Sequence, residues 1–160
     1  GGRRATDGAR DPDPPRDWRR VALPHPLWFG GPSRTWRGGP AFLDVDHPGE
    51  AVGRAWLLAL DQVADVVAQE NGLLAGAVDL GDDHVARGGV VVPDGPYGRV
   101  VALDPVDGRP ALTCTYVRRP PGRAPDPAYL DLVHAGLVET GVGLADARAM
   151  VRSARHLDDP

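Results

Sequence analysis

Residues 61–72 read DQVADVVAQENG, and the spacing inside this stretch decides the fold class. Val63, Val66, Val67 and Glu70 fall at i, i+3, i+4 and i+7, the recurrence of one face of a 3.6-residue helix. Asp61 suits the N-cap or first turn, and Asn71-Gly72 a C-terminal stop. Upstream, apolar residues between Val21 and Phe29 cluster around Pro24 and Pro26. Proline donates no backbone hydrogen bond, so a strand here lies at an edge or is broken. Pro40–Val45 and Val52–Leu58 read as a hairpin about Asp46-His47-Pro48-Gly49. Downstream, residues 73–96 are ambiguous. Arg99–Leu103 and Pro110–Val117 then flank a turn that ends in Asp107-Gly108, a second hairpin. After a Pro-rich connector, Tyr129, Leu132, Val133, Leu137 and Val138 repeat at helical spacing up to Gly141. Leu144–Leu157 reads as a terminal helix with Leu144, Ala147, Met150, Val151 and Ala154 inward. Strands first and helices interleaved late argue α+β rather than a doubly wound sheet.

The chain has 160 residues, enough for one domain with its own core. Residues 1–20 hold ten charged side chains and three Pro, with only Ala5, Ala9 and Trp18 apolar, so they read as a solvated, irregular leader. Residues 21–160 read as a single domain. The first residue is not Met, which suggests a fragment or a processed product. Arg supplies all 18 basic residues, Lys and Ile are absent and Asn71 stands alone, the bias of a very GC-rich, bacterial genome. A formal charge of −4 and the lack of a basic run weigh against nucleic acid. No apolar run reaches membrane-span length, and no signal peptide heads the chain, so a soluble, cytoplasmic protein is expected.

Several side chains carry possible chemistry. Glu is scarce, with Glu50, Glu70 and Glu139 against 19 Asp. A carboxylate on the same stripe as three Val points toward apolar surroundings; desolvation there raises its pKa and suits a general acid or base near neutrality. The competing reading is a last-turn Glu open to water. Asp79, Asp82, Asp83 and His84, with His134 or the run His156-Leu157-Asp158-Asp159, could hold a divalent metal, but Asp is abundant throughout and no His-x-x-x-His spacing occurs, so a solvated acidic turn is the favoured reading. Cys114, the only cysteine, sits in a strand-like run and reads as a buried structural thiol. Ser33 lacks a nucleophile-elbow context, and Gly141-Val142-Gly143 follows a helix, so it is no dinucleotide fingerprint. Trp36 with Gly38-Gly39 reads as an anchor whose glycines allow close backbone packing.

Taken in order, several stretches resemble one family. They are Ser33-Arg34-Thr35-Trp36-Arg37-Gly38-Gly39-Pro40-Ala41, Gly53-Arg54-Ala55-Trp56-Leu57-Leu58, Val67-Ala68-Gln69-Glu70-Asn71-Gly72, Pro96-Tyr97 leading to Leu112–Tyr116, and Pro125–Leu130 running to Glu139-Thr140-Gly141. This ordered set is similar to the gamma-glutamylcyclotransferase family. The resemblance implies a small mixed β-barrel with packed helices, no metal and no organic cofactor. It implies a small-molecule γ-glutamyl amine or peptide as substrate, whose α-amino group attacks its own γ-carbonyl to release 5-oxoproline and an amine. It places Glu70 at the acid/base position and Tyr97 and Tyr129 near the substrate. The family opens with a strand ending in a Tyr-Gly-Ser-Asn loop; this sequence contains no such motif, so the resemblance implies a barrel without its first strand and a weakened or inactive site. Two alternatives stay open: a non-catalytic binding or interaction domain on the same scaffold, and a metal-dependent amide hydrolase or deacetylase using Asp82, Asp83 and His84.

Overall fold

A computed structural model describes residues 8–33 and 35–154. Among them four helices and three small antiparallel sheets form a mixed α+β fold. The sheets hold two, two and three strands, and no closed barrel is found among the described residues. By contacts the chain divides into two compact units: residues up to 19 with 55–117, and 20–54 with the chain from 118 onward. The divisions fall inside β1 (Trp18–Leu23) and β4 (Ala51–Trp56), which pair with each other. Beyond the named strands, Arg16 N–H donates to Leu57 O at 3.0 Å and Leu57 N–H to Asp17 O at 2.8 Å.

In the first unit, α1 (Leu60–Glu70) forms where the periodicity places it. Its inward face differs from the expected one. Ala64, Val67 and Ala68 are buried with Val78, Leu80 and Val100, whereas Val66 is 41% exposed and Glu70 is also exposed. The helix is rotated because Asp65, a charged residue, is wholly buried and has partners there. Its carboxylate accepts Arg10 N–H at 2.8 Å, Arg10 Nε–H at 3.1 Å and Gly76 N–H at 2.7 Å. Gln62 Nε2 donates to Asp11 O and Asp13 O, so residues 10–13 lie on α1 through polar bonds although they have no regular structure.

The remaining elements of this unit are α2 (Asp82–Arg87) and the sheet β5 (Gly89–Val90), β6 (Arg99–Val106) and β7 (Arg109–Thr115), in the order β5-β6-β7. The β6–β7 hairpin is the expected one, turning at Asp107-Gly108 with both φ positive, the geometry of a two-residue primed turn. Val100 opposite Cys114, and Ala102 opposite Leu112, bring the apolar side of the hairpin to the buried face of α1.

The guanidinium and amide of Arg10 hold the Asp65 carboxyl below the ordinary Asp range, with Gly76 N–H adding to the effect. A depressed folded-state pKa contributes stability that is present above the unfolded value, about 3.9, and is lost as pH falls through the folded one. The stability advantage of the native chain over Asp65→Asn is therefore expected to be full at pH 7 and to shrink below about pH 4. Urea midpoints of the two proteins at pH 7 and pH 3 check this; an unchanged gap contradicts it.

In the second unit the expected hairpin 40–45/52–58 does not form. β3 (Ala41–Leu43) pairs instead with β2 (Leu27–Phe29), Trp28 opposite Phe42 and Leu27 opposite Leu43. Trp28, Phe29, Phe42 and Leu43 are all buried, so this pairing joins two short apolar strands, whereas β4 is only half-buried. The proline-centred stretch 24–26 separates β1 from β2, the broken-strand outcome. Gly38 and Gly39 are buried, and a Cβ on Gly38 would overlap the Asp126 backbone, so close packing is their role. α3 (Pro127–Glu139) starts with Asp126 accepting Ala128 N–H and Pro127 in its first turn. α4 (Leu144–Ser153) buries Ala147, but Leu144, expected inward, is 55% exposed at its first position. Residues 155–157 of the expected helix lie outside the described residues.

Candidate functional site

Glu70 is the last residue of α1. The residue as a whole is open to solvent, and its carboxyl is partly desolvated, which pushes its pKa above the ordinary Glu value. It lies close enough to Cys114 on β7 for its negative charge to act on the thiol. Burial foremost, and that charge second, push the Cys114 thiol up to about 12. A thiol with a pKa of about 12 carries about 10⁻⁴ thiolate at pH 8, so native Cys114 is expected to resist iodoacetamide and to react only on unfolding. Mass spectrometry after labelling with and without urea checks this; stoichiometric labelling of the folded chain contradicts it.

Asn71, the C-cap residue of α1, links Glu70 to Tyr97. Asn71 Oδ1 accepts Tyr97 N–H at 3.0 Å, while Nδ2 donates to Tyr97 O at 3.1 Å and to Val67 O at 2.7 Å. Tyr97 is half-buried. Glu70 and Tyr97 therefore share the first unit, with one amide side chain between their backbones. Tyr129 lies in the second unit, on the first turn of α3. Its hydroxyl accepts Ala41 N–H at 3.2 Å, and its ring packs against Trp36 and Phe29 at centroid distances of 5.4 and 6.3 Å. These contacts give Tyr129 a packing role in its own unit and account for the half-buried Trp36.

Compared with family models, with curated proteins and with solved structures, the chain matches none.

The other candidates separate clearly. Asp82, Asp83 and His84 open α2, where Asp83 pairs with Arg87 at 3.1 Å in solvent. Among the described residues no group of three or more His, Cys, Asp or Glu is arranged to hold a metal ion. His156, Asp158 and Asp159 lie outside those residues. Ser33 accepts Thr35 N–H and Trp36 N–H, a turn-capping role. Gly141–Gly143 borders an open depression of about 320 Å³ in the second unit, with Arg20, Asp146 and Met150, none of which carries the expected chemistry.

Sequence reading missed a buried charge cluster in the second unit. Asp44 is wholly buried and meets Arg119 Nη2 at 3.1 Å and His47 Nδ1 at 3.0 Å. The Arg119 guanidinium also lies 3.6 Å from the centre of the Trp28 ring. The bonds of Asp44 fix the turn at 44–47. No local pattern announced this cluster, because Arg119 is 75 residues away. Asn71 offered one signal, as the single Asn of the chain, which sequence reading used only as a helix stop.

Proposed function

We propose that this protein has the chemistry of a gamma-glutamylcyclotransferase, closing a γ-glutamyl amine or peptide into 5-oxoproline with Glu70 as acid and base. The observation that carries the reading is the partly desolvated Glu70 carboxyl at the end of α1, a helix whose C-cap residue Asn71 is hydrogen-bonded to the Tyr97 backbone. The ordered motifs of the sequence point to the same reaction. Ring closure removes two protons from the attacking α-nitrogen and delivers two to the departing amine. A carboxylate carries one proton at a time, so Glu70 accepting and donating twice in turn balances this transfer, and a pKa raised by desolvation makes it efficient in both directions. Nucleophile and electrophile belong to one molecule, so the protein's remaining task is to hold the substrate bent. Tyr97 contacts the substrate beside Glu70, within the first unit. The finer architecture that goes with this reading is the family's mixed β-barrel with packed helices.

The test is incubation of the purified chain with a panel of γ-glutamyl amines and dipeptides, with mass-spectrometric detection of products. The reading predicts 5-oxoproline and amine in equal amounts, with no metal added. Glutamate in place of 5-oxoproline would indicate a hydrolase and overturn it. One observation favours a second reading, a binding module without turnover: the Tyr129 hydroxyl is engaged by the Ala41 amide. Saturable binding of the same compounds with no product of either kind supports that reading.

A further inference from the structure

We propose that Asn71 is a positioning residue, which fixes the Tyr97 loop against the Glu70 end of α1 and so sets the distance between proton carrier and substrate contact. This inference rests on the roles given above to Glu70 and Tyr97. The geometry is specific. A planar amide that donates to a peptide oxygen and accepts from the N–H of the same residue meets the Tyr97 backbone as a neighbouring strand would. The third bond, to Val67 O, ties that amide to the last turn of its own helix, so its orientation is set from both sides. Of the side chains of this length, only Asn offers both a donor and an acceptor: Asp lacks the donors and Leu lacks both.

The loop is shaped to receive this clamp. Residues 91–98 leave β5 and return to β6 through a narrow neck, where Val91 N–H and Val92 N–H both donate to Gly98 O, at 2.8 and 3.1 Å. Gly95 turns inside it, its N–H donating to Val92 O at 3.0 Å. A Cβ on Gly95 would overlap Asn71 Oδ1 and come within 2.8 Å of Val92 Cγ1. The bare glycine is therefore the space that the Asn71 amide occupies. A methyl there displaces the amide without altering Asn71, Tyr97 or Glu70, which provides an independent route to the same perturbation.

The experiment uses the whole chain and its variants Asn71→Ala, Asn71→Asp, Gly95→Ala and Tyr97→Ala. Amide hydrogen exchange followed by NMR is expected to be at least tenfold faster at Tyr97 in Asn71→Ala and in Gly95→Ala, with β6 and β7 amides unchanged. Asn71→Asp keeps the acceptor and is expected to retain Tyr97 protection, which keeps the test readable should Asn71→Ala fail to fold. In the ring-closing assay, Asn71→Ala is expected to raise KM tenfold or more with a smaller change in kcat. Its effect combined with Tyr97→Ala is expected to be less than the product of the two, because both act through one contact. Unchanged exchange at Tyr97, or a faster exchange with an unaltered KM, overturns the inference; the first result leaves Asn71 as a helix cap only, the second as a loop clamp with no bearing on substrate. If the parent chain makes no 5-oxoproline, the assignment of the reaction fails by itself, and the exchange data still decide whether Asn71 holds Tyr97.

Discussion

Replacing Glu70 by Gln is expected to lower kcat for 5-oxoproline release by about 10²–10⁴-fold, the usual range for loss of a general acid–base group. Gln keeps the volume and most of the hydrogen-bonding shape of Glu, so KM and the thermal midpoint are expected to stay close to those of the parent. The exposed position at the end of α1 supports the second expectation, because substitutions at solvent-facing sites usually change stability by no more than about 0.5 kcal/mol. The pH dependence follows from the direction of the carboxyl's shift. Desolvation raises the Glu70 pKa, and the base form is the ionised one, so the rate is expected to rise with pH through a limb lying above the ordinary Glu value of about 4.3. That limb disappears in Glu70→Gln. Steady-state rates between pH 4 and 8 for both proteins check this; equal turnover in the two removes Glu70 from the reaction.

The largest expected effect on stability comes from Trp28→Ala. Trp28 is 0% exposed, its Nε1–H donates to Pro120 O at 3.0 Å, and Arg119 covers its ring. Truncation removes the burial, opens a cavity and takes away the surface on which the guanidinium of Arg119 rests. Buried Trp→Ala substitutions cost about 3–5 kcal/mol. For a chain of this length that corresponds to a fall of roughly 6–20 °C in the thermal midpoint. Trp56 is the internal control: it is 48% exposed, and Trp56→Ala is expected to change stability far less. Thermal melts of the three proteins decide the matter. Equal losses for Trp28→Ala and Trp56→Ala contradict the packing described for the second unit.

What could be read from the sequence was what local spacing encodes. The 3.6-residue period located α1, the spacing from Tyr129 to Val138 with the stop at Gly141 located α3, and Asp107-Gly108 marked the turn of the β6–β7 hairpin. What could not be read depends on partners distant in the chain. The inward face of α1 follows Asp65, a residue that binary patterning assigns to solvent. It is buried because Arg10, 55 residues earlier, supplies the compensating charge. The pairing of β3 with β2 rather than β4 follows from burial on both strands, which the turn-like sequence 46–49 does not express. In the same way Glu70 and Tyr97 were each legible as types of residue. The amide that joins them was not, because its role depends on a loop 26 residues away.

The most direct measurement of the central claim is a ¹³C NMR titration of the Glu70 side-chain carboxyl in the intact chain, assigned by its loss in Glu70→Gln. The account predicts a midpoint above about 4.3, moving further when a non-cyclising γ-glutamyl analogue is added. A midpoint at or below that value, unmoved by the analogue, would show a carboxylate surrounded by water and would contradict the assignment of Glu70 as the proton carrier.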